Sequence, residues 1–283
     1  MKITFENDSG IIDLNGGVWR IKEIEGLGFL PKTANVIRYH GIDGQELLSS
    51  NTYARDITIS GDIIRRDKVS YELSRAIRIL DKPGFLKLRL GAKTRKIKAR
   101  ATVFSADTKD RNNVYQSFVM QLICDYPYFE DFDTTRLALF TRDDLIKDTF
   151  TLPCVFTKRT SRINVINSGD VESRPVIHLV CKSEPQSEDY AIELINHTKN
   201  QYFKLNYKMT AGEEICIDFA NRTVTSYKDK DETNLIGYIS DNTFLSDFYL
   251  DTGTNDLECL IYGDGAEITA VCEYSAKYKE AVI

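Results

Sequence analysis

Along most of this chain of 283 residues, apolar side chains recur at every second position, a period that only β-strands use. In "DITISGDI", Ile57, Ile59 and Gly61 share one face and Asp56, Thr58 and Ser60 the other. In "SFVMQLIC", Phe118, Met120, Leu122 and Cys124 share a face. "PVIHLV", "AIELIN", "QYFKLNY", "EICIDF", "RTVTSY", "LIGYIS", "FYLDTG", "ECLIYG" and "ITAVCEYS" follow as further predicted strands. Turn signals separate them at Asn15-Gly16, Asp43-Gly44, Asn167-Ser168-Gly169, Ala211-Gly212 and Asp264-Gly265. Short strands with turns at this spacing predict a mainly β chain built as sandwiches or barrels.

One stretch departs from the period. In "RDKVSYELSRAIRIL", Val69, Leu73, Ala76, Ile77 and Leu80 follow helical spacing, with Asp67 as a candidate N-cap and Pro83 in "DKPG" as the stop. "RDDLIKD", Arg142 to Asp148, is a weaker helical candidate.

Charge divides the chain. Residues 1–135 carry 21 Lys/Arg against 18 Asp/Glu, whereas residues 136–283 carry 16 against 24. The aromatic cluster of "CDYPYFED", where Pro127 holds Tyr126 extended, ends the first region. Two domains are therefore expected, 1–135 and 136–283: a β-sandwich or barrel-like unit with one amphipathic helix, then a second β-sandwich. No run of eighteen apolar residues is present, and "MKITFENDSG" lacks the apolar centre of an export signal, so membrane insertion and export by that route are not expected. Six cysteines stand singly without any CxxC pair and are expected to be reduced core residues.

No enzymatic motif emerges. GxSxG, HExxH, GxxxxGK[ST] and a GxGxxG following a strand are all missing, and imidazole is restricted to His40, His178 and His197. His178 falls inside a predicted strand, where a structural histidine is the expectation. Nothing pairs two of the 42 acids as a hydrolase would need. No catalytic residue, cofactor or metal is expected. "NVINSGDVESRPVIHL" gathers Asn, Asp, Glu and His around a glycine, but it reads as a turn leading into a strand that Pro175 opens. One charge cluster stands out. "KLRLGAKTRKIKAR" holds seven basic residues in fourteen, with a turn at Gly91-Ala92. Lys96, Lys98 and Arg100 share one strand face, and Arg95, Ile97 and Ala99 the other. A basic ribbon of this kind can enter a DNA groove, but the acidic whole argues against sequence-specific nucleic-acid binding and for a solvated or inter-subunit face.

The order of these features resembles the distal tail protein family of long-tailed bacteriophages, over nearly the whole chain. "GVWRI" precedes the glycine-bracketed "GIDGQ" and the Arg-led "RDITISGDI"; then come the helix, "CDYPYFED", "INSGDVESRPVIHL", "IELINHTKNQYFKLN" and "AGEEICIDFANRTVTS". The resemblance implies that the first domain is a ring-forming belt and the second a galectin-like sandwich. It implies a structural subunit of a phage or tail-like particle such as a tail-like bacteriocin, forming a hexameric ring at the far end of the tail. Implied partners are further copies of itself, the tail tube protein, the hub or tail-associated lysin, the tape measure, and receptor-binding or baseplate proteins. Within that frame, Lys93, Arg95, Lys96, Lys98 and Arg100 are the candidate subunit or tube interface. The competing expectation is a carbohydrate-binding sandwich that uses Tyr227, Tyr238, Phe248 and Tyr249 against cell-wall sugars.

Overall fold

The computed structural model describes residues 1–30, 32–64, 69–106, 115–144, 157–160, 162–185, 190–262 and 267–281. The chain forms two compact units, Met1–Phe132 with Tyr278–Ile283, and Asp133–Lys277. The first unit's long segment ends at Phe132, within the aromatic cluster. The last residues differ from the expected 136–283 span: they return to the first unit, where Ala281 is fully buried in the core and its amide donates to the Leu27 carbonyl.

In the first unit, β1 (Lys2–Asn7), β2 (Gly10–Asp13), β3 (Trp19–Glu25), a hairpin of β4 (Thr33–Ile37) and β5 (Glu46–Asn51), and β6 (Arg55–Ile64) precede the helix α1 (Val69–Leu80). β7 (Gly84–Leu90), β8 (Lys93–Ala106), β9 (Tyr115–Cys124) and β10 (Phe129–Asp131) follow. The main sheet runs β2-β1-β7-β8-β9-β6-β3, with β10 also on β8. The fourteen residues of β8 make its corner: Lys93–Ala99 pair with β7, and beyond that point the strand pairs with β9 through a register shift at Ala101/Val103. A bulged strand serving two sheets bends a sandwich toward a barrel. The two-residue period is realised where it was strongest. Ile57, Ile59 and Ile63 of β6 and Phe118, Met120, Leu122 and Cys124 of β9 are all buried in one core with Trp19, Phe5 and Leu88.

The helix starts at Val69 as its spacing requires; the proposed cap Asp67 lies outside the described residues. Its buried stripe is rotated from the expected one. Ile77 is exposed, while Glu72 and Ile79 turn inward. The reason is polar: the Glu72 carboxylate accepts hydrogen bonds from the Trp19 indole N–H (3.5 Å) and from Arg75 (3.2 Å), a satisfied position for a buried acid. Of the second helical candidate, residues 142–144 end a strand and residues 145–148 lie outside the described residues.

The second unit is a two-sheet antiparallel sandwich. Its strands are β11 (Thr135–Asp144), β12 (Thr157–Thr160), β13 (Arg162–Asn167), β14 (Val176–Ser183), β15 (Ile192–Asn196), β16 (Gln201–Leu205), β17 (Glu214–Asp218), β18 (Thr223–Lys228), β19 (Asp231–Asn234), β20 (Gly253–Ile261) and β21 (Glu267–Tyr274). One sheet runs β12-β11-β21-β14-β17-β18-β19, the other β13-β20-β15-β16. Ile177, Leu179, Ile215 and Ile217 from the first sheet share a core with Ile192, Leu194, Phe203 and Leu257 from the second. Two expected strands do not form: "LIGYIS" is a short 3₁₀ turn over Ile236–Tyr238 with an isolated bridge from Ile239 to Leu205, and "FYLDTG" has an isolated bridge from Leu250 to Ser173 before Gly253 opens β20. Alternation is ambiguous over so few residues, and the backbone groups find partners without a ladder, as where the Tyr238 amide donates to the Leu235 carbonyl and the Leu250 amide to that of Ser173.

Candidate interaction surfaces

The motif around Asn167 is structural. Its buried side-chain amide donates to the carbonyls of Val171 (3.0 Å) and Leu250 (3.2 Å), and its oxygen accepts from the Gly169 amide (3.1 Å). A Cβ on Gly169 would lie 2.4 Å from the Lys277 carbonyl oxygen, so only glycine fits. Val176 then enters β14, with Pro175 immediately ahead of the first strand position, where its missing N–H is harmless. His178, on β14, is half-buried between Glu214 (3.5 Å) and Glu273 (3.6 Å). No group of three metal-ligating side chains occurs among the described residues. Cys124, Cys181, Cys216, Cys259 and Cys272 are free thiols, while Cys154 lies outside the described residues. Burial pushes the Cys124 and Cys272 thiols up to about 12, so neither is a nucleophile near neutral pH.

The basic ribbon forms as expected, a β7–β8 hairpin turning at Gly91 (φ 60°), but its charges are unequally free. Arg95 lies 3.6 Å over the Tyr278 ring and donates to the Glu280 carbonyl (2.9 Å). Lys96 donates to the Phe132 carbonyl (3.2 Å), and Arg100 pairs with Asp125 (3.0 Å). Lys93 and Lys98 are exposed and form no ion pair among the described residues. Arg95 and Lys96 thus spend their polar groups inside the first unit, and Lys93 and Lys98 present charge to solvent. The candidate sugar-binding aromatics do not assemble one platform. Phe248 is core, stacked on Phe219 at 4.6 Å, and Tyr238 packs edge-on to Tyr207, while Tyr227 lies exposed on β18.

Two features went unread in the sequence. The first is Arg55, fully buried. Its Nε donates to the Pro127 carbonyl (2.8 Å), Nη1 to the carbonyls of Gly26 and Gly28 (2.8 Å for the latter), and Nη2 to that of Lys279. The guanidinium also lies 4.8 Å over the Phe129 ring. Burial pulls its pKa below the usual arginine value, the nearby Cys124 opposing this. Its parity with Ile57 and Ile59 was the available signal.

The second is the β4–β5 hairpin, a two-stranded sheet pairing with no other strand among those described and exposed at every position. Val36 opposes Leu47, and Leu47 and Leu48 are each 59% exposed. At the tip, Gly41 (φ 79°) and Gly44 (φ 109°) bracket Ile42 and Asp43, with Ile42 69% exposed. Tyr39 donates to Glu46 (2.9 Å) and Arg38 to Gln45 (3.4 Å), fixing the tip. A lone hairpin is marginal in water, and exposed aliphatics in a row mark a contact surface.

Comparison with known proteins points to phage tail components. Residues 168–280 match the model of the siphovirus-type tail component, C-terminal domain. The whole chain is similar in fold to the crystal structure of Dit from phage SPP1, titled a paradigm of hub adsorption apparatus in Gram-positive infecting phages; the TM-score is 0.67, with 11% identity and 98% of each chain covered. It is also similar to a chain of the phage P2 baseplate in its activated conformation with Ca (TM-score 0.56, 13% identity, 99% of each chain). At such identities the likeness is one of fold. No curated protein sequence matches the chain. Residues 168–280 thus match a phage tail component domain, and with the similarity in fold this supports the resemblance to the distal tail protein family.

Proposed function

We propose that the chain is the distal tail ring subunit of a phage or tail-like particle: a homo-hexamer, formed by the first unit, that joins the tail tube to the hub and to baseplate or receptor-binding proteins. The role is architectural, with no catalytic step, and its location is the far end of the tail. The observation that carries this reading is an exposed hairpin bearing Ile42, Leu47 and Leu48 on a chain whose residues 168–280 match a tail component domain. A heterologous contact, one face of a protomer against a different face of the next, closes into a ring when the rotation closes. Negative-stain images of the purified protein are expected to show sixfold rings with a central hole, at a solution mass six times the 32.3 kDa chain. A dimer with twofold symmetry would defeat the reading.

The basic ribbon has a narrower part in this proposal than its charge count suggested. With Arg95, Lys96 and Arg100 held by Tyr278, Phe132 and Asp125, the outward charges are Lys93 and Lys98. Reversing both to Glu is expected to leave the Trp19 fluorescence melt unchanged and to reduce ring yield or attachment to the tail tube, because rim charges set encounter rate and salt sensitivity. Normal assembly by the double variant removes the ribbon from the interface.

A further inference from the structure

On the outer face of the second unit's four-stranded sheet, a carboxylate is buried where strand parity exposes it. On β15, Ile192 and Leu194 belong to the core, which puts Glu193 between them on the outward face. Glu193 is nevertheless only 8% exposed, because three long side chains close over it. The Tyr202 hydroxyl (2.7 Å) and the Lys204 ammonium (3.0 Å) donate to Oε1, and the Tyr262 hydroxyl (3.0 Å) donates to Oε2. Lys204 is the register partner of Glu193 on β16, and Tyr262 follows the end of β20, its amide donating to the Ala191 carbonyl (2.9 Å). The tyrosines that cover the acid remain in contact with solvent, Tyr202 at 42% exposure and Tyr262 at 46%.

Beside this cluster is a cavity of about 300 Å³ lined by Tyr190, Ala191, Lys204, Asn206 and Tyr262. Its polarity carries no net charge. Burial opposes ionisation of Glu193, but its three donors lower its pKa, so it forms a neutral pair with Lys204. Neither an anion nor a cation would meet an unopposed charge here. Hydrogen-bonding capacity is nonetheless left over. Lys204 has two further protons to donate, and the exposed Asn206 side chain, which can donate and accept, makes no hydrogen bond among the described residues. The Tyr262 ring, with the Lys204 ammonium 6.0 Å from its centroid, adds an apolar wall. An aromatic face beside uncharged donors and acceptors matches a sugar ring, whose C–H face is apolar and whose hydroxyls both donate and accept. A cavity at the small end of ligand pockets suits one ring rather than a chain of them.

We propose that this cavity binds a neutral hexopyranose unit, stacked on Tyr262 and hydrogen-bonded to Asn206 and Lys204. Glu193 holds Lys204 and Tyr262 in place for it. The site is separate from the Tyr227, Tyr238, Phe248 and Tyr249 set expected from the sequence, none of which lines the cavity. It goes beyond the ring reading and does not depend on it, since every lining residue belongs to the second unit of a single copy.

The test uses the purified full chain and the methyl glycosides of glucose, galactose, mannose and N-acetylglucosamine. Saturation-transfer difference NMR is expected to show transfer to the ring protons of at least one of them, at about millimolar affinity, the strength a ligand of this size reaches. Asn206→Ala should weaken that binding about fivefold to tenfold, the loss of one hydrogen bond, and leave the far-ultraviolet circular dichroism melt unchanged. Tyr262→Ala should abolish the transfer, whereas Tyr262→Phe, which keeps the ring, should retain most of it. No transfer from any glycoside at about 10 mM, well above the expected affinity, overturns the site. Transfer that is equally strong in Asn206→Ala and Tyr262→Ala overturns it as well. A wild-type chain that binds no sugar, while the same substitutions block its attachment to other tail proteins, would make this face a protein contact instead.

Discussion

Replacing Arg55 by alanine is expected to cost the first unit about 3–5 kcal/mol, the range for removing one partner from a buried charged network. The side chain is fully buried, and its hydrogen-bond partners are four backbone carbonyls from three separate places in the sequence. Gly26 and Gly28 belong to the segment between β3 and the hairpin, Pro127 precedes β10, and Lys279 belongs to the C-terminal return. Without the guanidinium, the buried Pro127 carbonyl loses its partner outright, and the other three keep only what water can reach. Arg55→Met separates volume from hydrogen bonding. It fills much of the space and removes the cost of a buried charge, but it leaves the same oxygens orphaned, so it should recover less than half of the alanine loss. Arg55→Lys should fall between wild type and alanine, since a single ammonium cannot reach all four oxygens. The chain's one tryptophan is Trp19, buried in the first core, so its fluorescence reports this unit. A fall in its melting temperature of roughly 10–20 °C is expected for alanine. A loss below about 1 kcal/mol, or a methionine variant as stable as wild type, would sink the account of Arg55 as a clamp on carbonyls.

The same residue shows what a sequence of this type conceals. Strict alternation identified β6 and β9, because one face of each strand meets a core and the other does not. It also placed Arg55 in phase with the inward residues, but a lone arginine at the head of a strand is ordinarily solvated, and the carbonyls that need it come from 72 and 224 residues away. The helix was legible in its limits and not in its rotation: Ile77 looked apolar enough to be inside, yet the indole N–H of Trp19 gave Glu72 the better claim. The β4–β5 hairpin was illegible for the opposite reason. A strand pair with no buried face writes no alternation, and only the glycine-bracketed "GIDGQ" tip marked it. On the basic ribbon, parity puts Arg95 on the face opposite Lys96 and Lys98, yet Arg95 and Lys96 are both half-buried and of the three only Lys98 is exposed. It could not reveal that Tyr278 returns to cover Arg95, a contact 183 positions distant in the chain.

In the second unit, the corresponding buried charge is Glu213, and replacing it by glutamine is expected to cost about 2–3 kcal/mol at neutral pH and to flatten the unit's acid sensitivity. The carboxylate is almost wholly buried and is all acceptor. The Ser226 hydroxyl, the Tyr207 hydroxyl (2.8 Å), the Thr210 amide (2.8 Å) and the Thr210 hydroxyl (3.0 Å) donate to it. Burial alone would raise its pKa, but these four donors outweigh burial and hold it below the usual glutamate value. Burial and the adjacent carboxylate push the Tyr207 phenol up to about 12, so it remains a donor throughout the relevant range. Glu193 repeats the pattern. Burial opposes ionisation, and hydrogen bonds from Tyr202 (2.7 Å), Lys204 (3.0 Å) and Tyr262 (3.0 Å) prevail. A folded-state pKa below the unfolded value means that the unfolded chain binds protons first. Stability from these two acids is therefore present above an unfolded glutamate pKa of about 4.3, and it is lost as pH falls through the lower folded values. Glutamine at 213 turns one acceptor into a donor that faces the Thr210 N–H, so the penalty exists at pH 7, while one source of the acid slope disappears. Urea melts of the second unit by far-ultraviolet circular dichroism, from pH 7 to pH 3, should show a shallower fall for the variant. The Trp19 transition of the first unit, with its own core, should hardly move. An unchanged slope together with a loss under about 0.5 kcal/mol would mean that the four donors are solvated in solution and that Glu213 does not hold the Thr210 turn to β18.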